Sequence, residues 1–214
     1  MPMLSTKRLA FRYLPASKPG PREKLLVVFH GLGDSMNGYA WMPSELGLED
    51  LSYFLVNAPD DYFGGFSWFD FMGDAVPGII RSREIILGLL KDLTDQGLRS
   101  EDILLFGFSQ GCLMALDAGL RAPMRLGGIC GVSGWLAFQD EYPAALSAFA
   151  KKTKILVTHG LRDPLLPFSI SAAQWRMLQG MGLDLEFQSY DKEHTILPEE
   201  LDGIREWIRA RLRA

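Results

Sequence analysis

With 214 residues, 48% of them hydrophobic, the chain can bury one sizeable core and reads as a single domain over 1–214. Lys and Arg total 22 against 26 Asp and Glu, a formal net charge of -4, and no basic run exceeds two residues. That balance excludes the cationic footprint of a nucleic-acid binder and suits a small neutral or apolar substrate.

In chain order, an apolar run at 8–14 reads as a strand, and the Pro/Gly-rich stretch 15–21 as a turn. The run 25–29 is a second strand, ending at His30-Gly31-Leu32-Gly33-Asp34. A dinucleotide-binding turn would need a third glycine at position 36, which is Met36. A strand at 51–56 precedes the loop Phe63-Gly64-Gly65-Phe66-Ser67-Trp68-Phe69, and helical spacing follows at 79–93. The strand 103–106 runs into Gly107-Phe108-Ser109-Gln110-Gly111 and a helix over 111–121. Beyond it come a strand at 127–132, a helix at 141–150, a strand at 154–158, a helix at 168–179, a strand at 184–189 and a last helix from Pro198 to Arg213. Pro198 suits the first helical position, and Glu199 and Glu200 complement its positive end. This alternation predicts an α/β fold with a mostly parallel central sheet and helices on both faces. No segment reaches the ~18 uninterrupted apolar residues of a spanning helix. The charged start leaves too short an apolar run for a signal peptide, and two cysteines, Cys112 and Cys130, build no disulfide framework. Cytoplasmic residence is the expectation.

The chemistry points to Ser109. A serine between glycines, on a sharp turn from strand to helix, stands clear of the backbone at the strand's carboxyl end. A hydroxyl is a weak nucleophile, so it needs a base and an acid. Where this turn carries a nucleophile the partners follow in the order serine, acid, histidine. Of the three histidines, His30 and His159 each end a strand-like run and read as structural, with rings bonded to nearby backbone. His194, in the loop beside Lys192 and Glu193, is left as the base. Asp163, just past the strand at 154–158 and stiffened by Pro164, is the foremost acid, with Asp140, Asp184 and Asp191 as rivals. Backbone N–H groups must meet the charge that develops on a substrate carbonyl. The amides of Gln110, after the nucleophile, and of Leu32, between two glycines, stand in the required places. An apolar acyl site is expected from Phe66, Trp68, Leu165 and Leu166, unless these side chains simply fill the core.

The blocks His30-Gly31-Leu32-Gly33-Asp34, Gly107-Phe108-Ser109-Gln110-Gly111, His159-Gly160 with Asp163-Pro164, and His194 occur in this order over nearly the whole chain. Asn57-Ala58-Pro59, Trp68-Phe69-Asp70 and Pro198-Glu199-Glu200 add secondary matches. Together they resemble the small carboxylesterases and acyl-protein thioesterases of the phospholipase/carboxylesterase family, with the α/β-hydrolase fold. The resemblance implies a serine esterase or thioesterase with Ser109, Asp163 and His194 as its triad and Leu32 and Gln110 as oxyanion donors. It implies no cofactor and no metal, and a small-molecule or acylated substrate as the partner. Carboxylesterase, acyl-protein thioesterase and lysophospholipase activities remain open, as does a noncatalytic binding protein on the same fold. The chain departs from many members at Cys112, where they carry a further glycine, and in the spacing of the 57–71 loop.

Overall fold

The apolar runs become strands because each is covered on both faces, which parallel strands require. In β2 (Lys24–Phe29), Leu25, Val27 and Phe29 enter one core while Leu26 and Val28 enter the other, following the period of two. In the computed structural model, residues 4–213 are described, so residues 1–3 of the charged start and residue 214 of the 1–214 domain lie outside the described residues.

Seven strands form the main sheet. These are β1 (Phe11–Leu14), β2, β3 (Leu51–Val56), β6 (Ile103–Phe108), β7 (Gly128–Val132), β8 (Ile155–Gly160) and β9 (Leu185–Tyr190), in the spatial order β1-β3-β2-β6-β7-β8-β9. Only β1, at the edge, runs antiparallel to its neighbour. It is shorter than the expected 8–14 run. A separate antiparallel hairpin, β4 (Asp60–Tyr62) and β5 (Gly65–Ser67), occupies the loop that follows β3.

Helices α2 (Ala75–Asp95), α3 (Gln110–Arg121) and α5 (Phe168–Gly180) send Ile86, Leu113 and Trp175 into the larger core. The short α1 (Met42–Leu46) and the last helix, α6 (Pro198–Leu212), cover the opposite face with Met42, Leu46, Ile204 and Trp207. The α2 helix starts earlier than its apolar spacing suggests, because the Asp74 side chain caps the Val76 N–H at 3.1 Å. The helix expected at 141–150 shrinks to α4 (Tyr142–Ala145) between two 3-10 turns. Leu146 turns extended (ψ 130), and the Ser147 amide bonds Leu120 O at 2.9 Å instead of continuing the helical ladder. Among the described residues no helix is long and apolar enough to cross a membrane. The carboxyl ends of β2, β6, β8 and β9 lie at one edge, which carries the site.

Candidate active site

Ser109 sits between β6 and α3 with φ 55 and ψ -118, a conformation that costs a non-glycine residue on the order of 1–3 kcal/mol. The surrounding packing holds it there. Its N–H donates to Val132 O at 3.0 Å, while its carbonyl accepts from the amides of Cys112 and Leu113 at 3.0 and 3.2 Å. The flanking glycines are demanded by approach distance: a Cβ on Gly107 would lie 2.1 Å from Gly111 O, and one on Gly111 would lie 2.1 Å from Phe29 O. Cys112 fits because Gly134 opposes it, where a side chain would sit 2.4 Å from the sulfur. Burial pushes the Cys112 thiol far up, so it packs as a small apolar group.

His194 lies in the loop after β9, with its side chain 13% exposed, and its Nε2 is 2.9 Å from Ser109 Oγ. Its Nδ1 is 2.7 Å from Asp163 Oδ2. An ionised carboxylate only accepts, which assigns the proton to Nδ1 and leaves Nε2 free to accept from the serine hydroxyl. Asp163 follows β8, its side chain fully buried, and Oδ1 accepts from the Leu165 and Leu166 amides, both at 2.9 Å. Burial pushes this carboxyl up, but the Leu166 amide, His194 and the Leu165 amide outweigh it and hold it below the usual carboxylate range. The rival acids lie elsewhere. Asp140 is exposed on a 3-10 turn, Asp184 pairs with Lys154, and Asp191 pairs with Arg162 at 2.5 Å.

The loop 31–34 lies against Ser109, since a Cβ on Gly31 would be 3.4 Å from Ser109 Cβ. The Gly31 carbonyl is gripped by His30 Nδ1–H at 2.6 Å and by the Asp34 amide at 3.3 Å. In a trans peptide the N–H points opposite to the carbonyl, so the Leu32 N–H is turned away from both donors. Among the described residues, neither the Leu32 nor the Gln110 N–H is hydrogen-bonded to the backbone. The His30 ring completes its own pairing by accepting the Ala58 N–H at Nε2, 3.0 Å away, and burial lowers its pKa. His159 is also fully buried and lowered by burial, with Nε2 2.9 Å from Leu166 O and 3.6 Å from Asp163 Oδ2.

The four expected acyl-site residues separate. Trp68 is a correction: it is 0% exposed, its indole meets Phe29 edge-on at 5.4 Å, and its Nε1–H donates to His30 O at 2.9 Å. Its amphipathic ring is spent holding the 30–34 loop from below, which leaves no face for a ligand. Phe66 is half-buried beside His30, Leu166 is half-buried, and Leu165 is 68% exposed.

Sequence reasoning missed three supports. The β5 strand stitches the 31–34 loop through Gly33 N–H to Phe66 O and Phe66 N–H to Asp34 O, both 2.9 Å. The buried Gln110 side chain accepts the Trp68 amide at 3.0 Å and donates to Phe69 O at 3.1 Å, joining the Ser109 turn to the same segment. Lys192 is wholly buried against Glu200, and Glu200 at the third position of α6 is the one sequence signal for it.

A family model described as Phospholipase/Carboxylesterase matches residues 16–212. Acyl-protein thioesterase 1 of Gibberella zeae is 30% identical over 98% of this chain and 98% of its own length. Acyl-protein thioesterase 1 of Schizosaccharomyces pombe is 35% identical over 72% of this chain and 74% of its own. Among solved structures, esterase PE8 aligns with a TM-score of 0.85 at 29% identity, covering 94% of this chain and 98% of that one. With a family match over residues 16–212 and a fold shared with a solved esterase, the chain belongs to the phospholipase/carboxylesterase family of α/β-hydrolases.

Proposed function

We propose that the chain hydrolyses carboxylic esters and thioesters through an acyl-enzyme on Ser109. One observation carries the reading: the continuous hydrogen-bond chain from Ser109 Oγ through His194 to the buried Asp163. Ser109 Oγ attacks the substrate carbonyl while His194 Nε2 takes its proton, and Asp163 stabilises the imidazolium that forms. The tetrahedral oxyanion is met by the N–H groups of Leu32 and Gln110, each such donor lowering the barrier by roughly 3 to 4 kcal/mol. His194 then returns the proton to the departing alcohol or thiol, and water, deprotonated by the same nitrogen, releases the acid.

The thioesterase names of the relatives favour an acylated substrate. Leu165 and Leu166 beside Asp163, with Phe66 beside the oxyanion loop, offer apolar contact for the acyl chain. The free, buried thiols of Cys112 and Cys130 suit a reducing cytoplasm, which keeps cytoplasmic residence within the proposal. The test is a panel of p-nitrophenyl esters from acetate to octanoate, matched acyl thioesters and a lysophospholipid. Turnover is expected, and kcat/KM should climb with chain length at up to about 0.8 kcal/mol per buried methylene until the site is full. Leu165→Ala should flatten that rise. No turnover above buffer with any substrate would favour the noncatalytic reading, and a flat profile would remove the acyl site.

A further inference from the structure

Lys192 stands two residues before His194, and its ammonium is taken wholly out of water together with the carboxylate of Glu200, both side chains being 0% exposed. Nζ is 2.6 and 2.7 Å from the two Glu200 oxygens, 2.6 Å from Thr195 O and 3.2 Å from Ser133 Oγ. Glu200 Oε2 also accepts the Leu197 N–H at 3.2 Å. Burying such a pair is an inefficient way to gain stability, since apolar side chains of the same volume do as well or better. Its contacts have a geometric consequence instead. Lys192 and Thr195 bracket His194, so the ammonium closes the loop across the base. Ser133 follows Val132, whose carbonyl takes the Ser109 N–H at 3.0 Å, and the Lys192 carbonyl takes the N–H of Arg162, next to Asp163, at 3.0 Å. Lys192 therefore ties the loop that carries His194 to both neighbours, through its ammonium to Ser133 beside the support of Ser109 and through its backbone carbonyl to Arg162 beside Asp163.

We infer that Lys192 is a positioning residue: its buried ion pair with Glu200 holds the 192–197 loop against Ser133, so that the His194 imidazole stands between Asp163 and Ser109. The inference rests on the proposed triad. Lys192 touches no reacting atom, and its effect is on the placement of His194. A misplacement of ~1 Å at a reacting group can cost ~100-fold in rate, which sets the scale.

The test uses Lys192→Met and the double variant Lys192→Met/Glu200→Gln, read by Tm, by kcat and KM on a p-nitrophenyl ester, and by the rate of phosphonylation by a fluorophosphonate. The single variant strands a buried carboxylate, so both Tm and kcat should fall. The double variant removes that charge while the amide still caps α6. Its Tm should recover towards wild type, yet kcat and phosphonylation should stay about tenfold or more below it, with KM within about twofold. A double variant whose kcat recovers along with its Tm would overturn the inference and leave the pair merely structural. Should both variants fail to fold, Ser133→Ala keeps the ion pair and removes only its tie to β7. It should lower kcat by about threefold with little change in Tm, and an unchanged kcat would overturn the inference. Turnover that survives Ser109→Ala would instead remove the triad itself, so the two failures are distinguishable.

Discussion

The loops after β2 and β6, which carry the proposed oxyanion amides and the proposed nucleophile, are held by close approach and neutral hydrogen bonds: Gly111 against Phe29 O, Trp68 under His30, Gln110 against Trp68 and Phe69. The loops after β8 and β9, which carry the proposed acid and base, are held by charge. Asp163 faces His194, Arg162 faces Asp191, and Lys192 faces Glu200. On the first side Gly107 and Gly111 leave no room for a methyl, whereas the second side can keep its volume and still fail when a charge is lost. Positioning a strained serine calls for shape, and positioning an imidazole that must gain a proton calls for compensating charge.

The largest effect expected across this divide is from Ser109→Ala, which should lower kcat about a millionfold while leaving Tm close to wild type, as read by p-nitrophenyl ester turnover and thermal unfolding. On the charged side, Asp163→Asn keeps the volume but favours the wrong imidazole tautomer. It should cost about 10⁴-fold in kcat, against only a few-fold for Asp191→Asn at the rim. Equal losses in the two variants would erase the distinction between the buried acid and its exposed neighbour.

On the shape-held side, Gly111→Ala forces a methyl into Phe29 O and should destabilise by about 3 kcal/mol in urea unfolding. Gly180→Ala, at the end of α5 with nothing within 4 Å of the new Cβ, should be neutral or stabilising by up to about 1 kcal/mol. The smallest effect concerns pH. Burial lowers the pKa of His30 and His159, so below about pH 6.5 the unfolded chain binds protons that the folded chain refuses, and stability falls as pH drops. The Asp163 carboxyl is also lowered, so its stabilising share is present above about pH 4 and is lost below that, in a separate window. Replacing both buried histidines by Gln should shrink the fall in Tm between pH 7 and pH 5.5. An undiminished fall would assign it to other groups.

Much of this was legible because it is local. Strands such as β2 and β6 read as uninterrupted apolar runs since both faces are covered, and the turn at Ser109 announces itself through the two glycines that its close approaches require. Asp163 stood out from Asp140, Asp184 and Asp191 by its place after a strand. The features that escaped depend on contacts distant in sequence. The three-residue strands of the β4–β5 hairpin are too short for a periodic signal, and they exist because Phe66 pairs with Gly33 and Asp34. Trp68 reads as a loop aromatic until its indole is seen donating to His30 O. Lys192 enters the sequence reading only as a neighbour of His194, because its partner Glu200 lies eight residues on and meets it in the interior. The helix expected at 141–150 failed for the same reason, through the bond from Ser147 N–H to Leu120 O.

The central claim is that Ser109 is the nucleophile activated by His194 on Asp163, and covalent trapping tests it most directly. The wild-type protein is treated with a fluorophosphonate, the modified residue is mapped by peptide mass spectrometry, and the labelling rate is compared with those of Ser109→Ala and His194→Ala. The account predicts a single adduct on Ser109, none in Ser109→Ala, and labelling slowed by orders of magnitude in His194→Ala. An adduct on another residue, or labelling of His194→Ala at the wild-type rate, would contradict it.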